Sequence, residues 1–239
     1  MAYYEEYGEY ISNSQKKARA ARAAKKVSKK RKLQPARPES YAIAHTWWGK
    51  SWIRNLEGYA DYSSRLPRGR NYVRHGAVID LAIESGVVNA LVAGSAEEPY
   101  EVSVTIAPLN ARTRGRLVKN CRASLTGLPA LLSGEFPKDL EKKFLARGDG
   151  LFPAPREIHF DCTCPDWASM CKHVAAALYG AAVRLDEKPE LFFILRGMKI
   201  EDFVGKVLKE ETDDLLGKAK KKSSRRLSSG DVSRLFGNG

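Results

Sequence analysis

The stretch D-C-T-C-P-D-W-A-S-M-C-K-H, residues 161–173, decides the fold of this 239-residue chain. It holds three of the chain's four cysteines and one of its four histidines. Thiolate and imidazole are ligand types that zinc favours, and a closed set of four such ligands leaves no coordination position for water. We therefore predict a structural zinc site with the ligands Cys162, Cys164, Cys171 and His173. An iron–sulfur cluster and a Cys/His nucleophile pair are the alternatives that spacing alone leaves open.

The spacing of these residues predicts how the chain supports them. Residues i and i+2 of a strand share a face, so Cys162 and Cys164 point inward together while His159 points outward. Two residues rotate a helix by about 200°, so Cys171 and His173 cannot both face a metal from mid-helix. We therefore expect Cys171 at or just before a helix start and His173 in the first turn of that helix.

Lys172 lies between two of the predicted ligands. Three thiolates and one neutral imidazole around Zn²⁺ leave about one unit of negative charge. An ammonium group beside the site would compensate that charge and tune the metal from outside its ligand set. The alternative is an exposed helix residue without such a role.

Two runs of basic residues account for the net charge of +13. Residues 16–32 hold ten lysines and arginines, residues 217–226 hold six, and neither run contains an acid. Basic arms of this kind bind nucleic acid through phosphate contacts that are independent of sequence and sensitive to salt. A solubility tail or a tether to an acidic protein is the alternative. The candidate contacts in the first run are Lys25, Lys26, Lys29, Lys30 and Arg31.

A third basic group lies between the tryptophan-rich segment and the first predicted strand. Arginine beside an aromatic ring, in a loop at the edge of a sheet, suits phosphate contact combined with base stacking. Gly69 and Gly76 would let the backbone approach a ligand closely. A solvated surface with ion pairs to nearby acids is the alternative. The candidate contacts in this group are Arg65, Arg68, Arg70, Tyr72 and Arg74.

Periodicity elsewhere predicts an α+β fold. Alternating apolar residues in 77–83, 87–93 and 100–107, with tight connections, indicate an antiparallel β-meander. Residues 113–146 show a helical pattern with two interruptions. The predicted fold is therefore an antiparallel β-meander with helices, followed by a small zinc-stapled module and C-terminal helices. The predicted divisions are a basic, largely disordered or helical arm and linker (1–40), an α+β body (41–150), the zinc module (151–197), and a helix with a basic tail (198–239).

Three tryptophans and a lone cysteine need separate interpretation. Trp48, Trp52 and Leu56 recur at spacings of four, which predicts a helix with an apolar core face, and base stacking by these rings is the alternative. The basic run 16–32 favours helix but has no apolar stripe to hold it against a core. We expect Cys121 to be a buried thiol rather than a reactive one.

Several classes of protein are disfavoured by the sequence. The longest apolar run, residues 174–183, is too short to span a bilayer. The N-terminus shows no apolar segment of the kind that marks a secretory signal. We therefore expect a cytoplasmic protein without a membrane partner, in which clustered cysteines bind metal rather than form disulfides. The sequence has no G-x-x-x-x-G-K-[ST] phosphate loop and no carboxylate cluster for catalytic metals, so we expect no enzymatic activity.

The four predicted ligands also carry a family resemblance. C-x-C, six residues, then C-x-H resembles the pattern of the SWIM zinc finger. The stretches W-W-G-K-S-W, R-L-P-R-G-R-N-Y-V-R-H-G and L-F-F-I-L-R-G resemble a group of prokaryotic SWIM proteins of similar size, over roughly residues 46–197. This resemblance implies a strand–strand–helix (ββα) unit that binds DNA or a protein. For the prokaryotic group it also implies a Swi/Snf-type ATPase as partner.

These observations favour a zinc-binding accessory protein that binds nucleic acid, DNA more than RNA, without catalysis of its own. A protein-interaction adaptor, whose zinc finger docks a partner, is the main alternative. An RNA- or ribosome-associated factor is a further one. Salt dependence separates the first two classes, because phosphate contacts predict an affinity that falls steeply with salt.

Overall fold

The architecture is α+β, as the sequence predicts. The computed structural model describes residues 12–58, 64–122, 127–133, 135, 137–146 and 150–220. In chain order the elements are α1 (Asn13–Ser28), α2 (Trp47–Glu57), α3 (Arg65–Arg74), β1 (Val78–Glu84), β2 (Val87–Val92), β3 (Tyr100–Ile106), α4 (Ala111–Cys121), α5 (Leu128–Leu132), α6 (Lys138–Phe144), β4 (Ile158–Cys162), α7 (Lys172–Glu187), α8 (Leu191–Leu195) and α9 (Ile200–Lys220). None of the helices in the described ranges is long and apolar enough to cross a membrane.

One antiparallel sheet in the order β1-β2-β3-β4 organises the fold. The first three strands form the predicted meander, and Gly86 adopts a positive φ of 75° in the tight turn between β1 and β2. The fourth strand, which leads into the metal ligands, pairs with β3, and Cys162 lies opposite Val102. The metal-binding segment is therefore hydrogen-bonded into the same sheet as the meander.

Helix α7 is the centre of the core. Cys171 caps its N-terminus, and twelve of its sixteen residues are buried. A helix that is apolar on all sides must be surrounded by other elements. Its five alanines and Gly180 keep the helix thin; an added Cβ on Gly180 would lie 2.9 Å from Leu81 of β1. The sheet, α2 and α3 can therefore pack closely around α7.

The tryptophan-rich segment forms α2 and packs against α7, as predicted. Trp52 is fully buried and donates its indole N–H to the carbonyl of Leu178 at 3.0 Å. Trp48 is partly buried and donates to the carbonyl of Leu185 at 2.9 Å. Asp186 accepts hydrogen bonds from the backbone N–H groups of the two residues that immediately precede α2. These tryptophans are core residues rather than stacking platforms.

The first basic segment differs from the sequence expectation. Helix α1 does have an apolar side, because Ala20 is buried with Ile79 and Ala93 on the face of the sheet opposite α7. Small alanines form this stripe, and Ala23 and Ala24 extend it. The sequence pattern did not reveal this contact, because alanine favours a helix whether or not its side chain is buried. Residues 13–28 are thus part of the folded body.

The segment predicted as a linker is also fixed to the sheet. The backbone N–H of Ala36 donates to the carbonyl of Val78, and the carbonyl of Gln34 accepts from Leu81. These bonds cover the outer edge of β1, which would otherwise expose unpaired backbone groups. Residues 34 and 36 are therefore hydrogen-bonded to the sheet, and the predicted division at residue 40 stays a prediction.

The arginine-rich segment 65–74 is helix α3, not the loop that the sequence suggested. Leu66, Gly69 and Val73 follow a three-and-four spacing, which is the pattern of a helix face. An added Cβ on Gly69 would lie 2.5 Å from the Cβ of Ala175 in α7. Gly76 follows the helix with a positive φ of 73°, a common helix end. The two glycines therefore serve helix packing and termination rather than ligand approach.

Helices α4, α6, α8 and α9 also contribute residues to the core. Leu117, Leu140 and Phe144, from α4 and α6, are buried in the same apolar cluster as the residues of α7. Phe144 contacts the rings of Phe193 and Phe203, which belong to α8 and α9. Helices α4 and α6, which lie in the predicted helical segment, thus pack into the common core. The predicted domain boundary at residue 150 stays a prediction, although elements on both of its sides share one sheet and one core.

The close contact between α3 and α7 makes a specific prediction. Gly69→Ala should destabilise the protein by about 1–3 kcal/mol, because the added methyl group meets the short, inflexible side chain of Ala175. Gly115→Ala is the matched control, since a Cβ there has nothing within 4 Å and lies inside α4. That control should gain stability of about 1 kcal/mol. Urea unfolding followed by circular dichroism measures both, and equal stability of the two variants would contradict this packing.

Candidate metal centre

The four predicted ligands come together in the fold. Their ligand atoms all lie within 4.8 Å of one another. The His173 Nδ1 atom lies 4.0 Å from the sulfur of Cys162 and 3.9 Å from that of Cys171. In a tetrahedral zinc site the S–N separation is about 3.6 Å, from bond lengths of about 2.3 and 2.0 Å. The donor types and their separations therefore fit a bound metal ion.

The chain supports each ligand as its spacing predicts. Burial alternates from Ile158 to Cys164, with His159 exposed and the two cysteines partly buried. Cys171 is the N-cap of α7, and His173 is buried in the first turn. One feature differs from the ββα expectation: the described residues between Thr163 and Cys171 form a loop without a strand. The local unit is therefore strand–loop–helix.

The electrostatics of the cluster favour a cation. The pKa of Cys171 is lowered, chiefly by its hydrogen bond with the Cys162 thiol and also by its hydrogen bonds with His173 and with the Val174 N–H. The pKa of Cys162 is raised, chiefly by that hydrogen bond to Cys171, and burial raises the pKa of Cys164. Three sulfurs at this separation repel one another when all are ionised. A metal ion is the partner that lets all three become thiolates.

The imidazole of His173 is enclosed on every side. Tyr100 stacks on the ring at 4.2 Å between centroids, and Tyr72 contacts it edge-on at 5.4 Å. Gly94 lies against the same ring, since an added Cβ would be 2.9 Å from Nε2 and 2.4 Å from Tyr100. Nε2 is buried and has no hydrogen-bond partner among the described residues. This packing fixes the ring with Nδ1 towards the sulfurs.

The loop between the second and third cysteines is tied to α3. Asp166 forms an ion pair with Arg65 at 3.0 Å, and both side chains are mostly buried. The same carboxylate accepts the backbone N–H of Ala168. Lys172 opens α7 and is partly buried, and its role in charge compensation stays a prediction. Arg65 is thus fixed as part of the metal-loop structure.

The other arginines of α3 that the sequence predicts as nucleic-acid contacts lie in different environments. Arg70 pairs with Glu57 and donates to the hydroxyl of Tyr179 at 3.0 Å. Arg74 donates to the carbonyl of Tyr41 and stacks over its ring at 3.8 Å. Arg68 is exposed and forms no ion pair within the described residues. Of the α3 arginines, Arg68 therefore has its charge most available to a ligand.

The predicted nucleic-acid contacts on α1 and just after it also fall into two groups, ion-paired residues and exposed ones. Lys26 pairs with Glu97, at 3.0 Å, and with Glu98, both in the turn between β2 and β3. Arg31 pairs with Asp80 of β1. The three remaining candidates, Lys25, Lys29 and Lys30, are exposed. The second basic run lies mostly outside the described residues.

Tyr72 is the point where the basic residues of α1 and α3 meet. Burial raises the pKa of its hydroxyl, while the charges of Arg68 and Arg19 lower it, so both arginines lie near this ring. A small cavity of about 60 Å³ beside Tyr72 is also lined by Arg19 and Gly94. A wider groove of about 420 Å³ shares these two lining residues and continues to Arg22 and Lys26. We call the surface formed by Arg19, Arg22, Arg68 and Tyr72 the basic face.

Sequence reasoning missed three residues of this region. Arg19 and Arg22 belong to the basic run, but nothing in the sequence showed that α1 would hold them near the metal cluster. Trp167 is 77% exposed on the loop between the ligands, although tryptophan is usually buried. Its position between Cys164 and Cys171 was the available signal. By contrast, Cys121 is buried as predicted, and burial raises its thiol pKa to about 12.

Loss of one ligand should remove the metal and weaken the fold. Cys164→Ser should reduce bound zinc from one per chain to near zero, because three ligands hold the ion far less well. Residues 158–185 should then exchange amide hydrogens faster, since metal binding supplies folding free energy. Cys121→Ser is the matched control and should keep its zinc. Elemental analysis after dialysis and hydrogen exchange provide the readouts, and full zinc content in Cys164→Ser would refute this ligand assignment.

Comparisons with known proteins give one similarity and no family assignment. No family model matches the chain, and no solved structure matches it. The chain is 38% identical over 179 residues to a Mycobacterium tuberculosis (strain ATCC 25618 / H37Rv) protein named Uncharacterized protein Rv2102. The match covers 74% of this chain and 64% of that protein. The chain thus spans less than two thirds of the length of this relative, whose name states no activity.

Proposed function

We propose that this chain is a zinc-stapled, nucleic-acid-binding accessory protein of the SWIM kind, without catalysis of its own. The observation that carries the proposal is that Arg19 and Arg68 lie near Tyr72, which contacts His173, while Arg22 lines the adjoining groove together with Arg19. Cations from two separate helices gathered on one face are the arrangement that phosphate backbones bind. DNA is the preferred ligand and RNA the alternative.

The metal in this proposal is structural zinc. Four protein ligands complete a tetrahedral shell, so no position remains for a water nucleophile. When bound, zinc supplies cross-linking free energy between the end of β4 and the start of α7. His173 then orients Tyr72 and Tyr100, and these rings support the wall of the basic face. Metal binding and nucleic-acid binding are therefore coupled through the imidazole ring of His173.

The SWIM resemblance adds a partner to this proposal. A Swi/Snf-type ATPase would supply mechanical work on DNA that this chain holds, while the chain itself contributes binding. The alternative function is an adaptor whose metal loop docks a protein. The two differ in one property, because an adaptor has little affinity for nucleic acid at any salt concentration.

Charge removal on the basic face should weaken nucleic-acid binding in a salt-dependent way. The triple variant Arg19→Gln, Arg22→Gln, Arg68→Gln should lower the slope of log affinity against log salt by about 3, or about 1 per lost phosphate contact. The affinity for duplex DNA at low salt should fall at least about tenfold. Fluorescence anisotropy with labelled duplex, single-stranded DNA and structured RNA, between about 50 and 200 mM salt, measures both quantities.

A matched triple variant controls for net charge. Lys138→Gln, Lys142→Gln, Lys209→Gln removes the same charge from exposed positions on α6 and α9. This control should bind almost as wild type does. Equal losses in the two triples would show that net charge rather than the basic face governs binding. Absence of binding by the zinc-loaded wild type to all three nucleic acids would overturn the proposed function in favour of the adaptor.

A further inference from the structure

Trp167 differs from the other three tryptophans of the chain. Trp52 is fully buried, and Trp47 and Trp48 pack against the core. Trp167 exposes 77% of its surface. Exposing this much of the largest apolar side chain forgoes the favourable free energy of its burial. The exposed part of this ring is large enough to contact a ligand.

The loop that carries Trp167 is firmly held. Cys164 and Cys171 flank it as metal ligands, and Ala168 and Met170 are buried on its inner side. Asp166 both accepts the Ala168 N–H and pairs with Arg65 of α3. The exposed indole therefore lies on an ordered loop. A ring presented in this way loses little conformational entropy when a ligand stacks on it.

The charges near Trp167 select the chemistry of that ligand. Asp166, its neighbour in the chain, is neutralised by the ion pair with Arg65. Arg68 follows Arg65 by three residues, so the two are neighbours on one side of α3. Tyr72 continues the same side and meets Arg19. The exposed ring of Trp167 is thus connected, through the Asp166–Arg65 pair, to the side of α3 that carries Arg68, and this setting suits a polyanion that also has aromatic rings.

We propose that Trp167 stacks with an unpaired nucleobase and that the protein therefore prefers single-stranded over duplex nucleic acid. This inference rests on the proposed function and names its ligand class. Bases in a duplex stack on one another and offer only their edges, whereas a single strand can turn a base face towards a protein ring. The backbone of that strand follows the side of α3 from Arg68 to Tyr72, and one base lies on the indole.

Substitutions at Trp167 test the inference with matched variants. Trp167→Leu keeps apolar bulk without an aromatic ring, and Trp167→Phe keeps a ring. Trp167→Leu should weaken binding of a labelled oligothymidine about tenfold, the usual effect of losing one stacked base, and should leave duplex affinity within about twofold. Trp167→Phe should retain most of the single-strand affinity. All variants are compared as zinc-loaded full-length chains with equal zinc content.

The outcomes separate this inference from the proposed function. Selective loss of single-strand affinity in Trp167→Leu supports stacking, and so does quenching of wild-type tryptophan fluorescence by oligothymidine that is absent in Trp167→Phe. Unchanged single-strand affinity, with normal salt dependence and sensitivity to the basic-face triple, would overturn the stacking role and leave the proposed function intact. Equal losses for single strand and duplex would also overturn it. Failure of wild type to bind any nucleic acid would overturn both.

Discussion

Three sulfur atoms and one imidazole nitrogen crowd together at the N-terminus of α7, the helix around which the core is built. Because burial and mutual repulsion oppose ionisation of all three thiols, a bound cation would favour their thiolate forms at this end of α7. A bound ion would join the last residue of β4, the loop after it and the first turn of α7. Such an ion would cross-link the sheet to the central helix, on which α2 and α3 pack.

The packing around His173 connects this cross-link to the surface. Tyr72 and Tyr100 contact the imidazole, and Gly94 admits it because any Cβ there would meet both rings. Tyr72 belongs to α3, which also supplies Arg65 to the metal loop and Arg68 to the basic face. Helix α1, on the other face of the sheet, places Arg19 near the ring of Tyr72. We therefore propose that the metal site supports a binding surface, with Trp167 as its aromatic end.

Much of this structure could be predicted from short-range pattern. Alternation identified the meander, and ligand spacing required Cys171 at the start of a helix with His173 in its first turn. The errors involve glycine and alanine. Gly69 and Gly76 resembled loop residues, but one allows helices α3 and α7 to touch and the other ends α3. Ala20 gave no sign of burial, because alanine favours helix in any environment. Long-range ion pairs, such as Lys26 with Glu97, depend on a fold that local pattern does not contain.

The most direct test of the central claim is X-ray absorption spectroscopy at the zinc edge of the purified, full-length protein. The account predicts three sulfur neighbours at about 2.3 Å and one nitrogen at about 2.0 Å, with no exchangeable water ligand. In Cys164→Ser this signal should be lost with the metal. A shell of oxygen and nitrogen atoms, or a spectrum that shows iron bridged by inorganic sulfide, would contradict the structural zinc site.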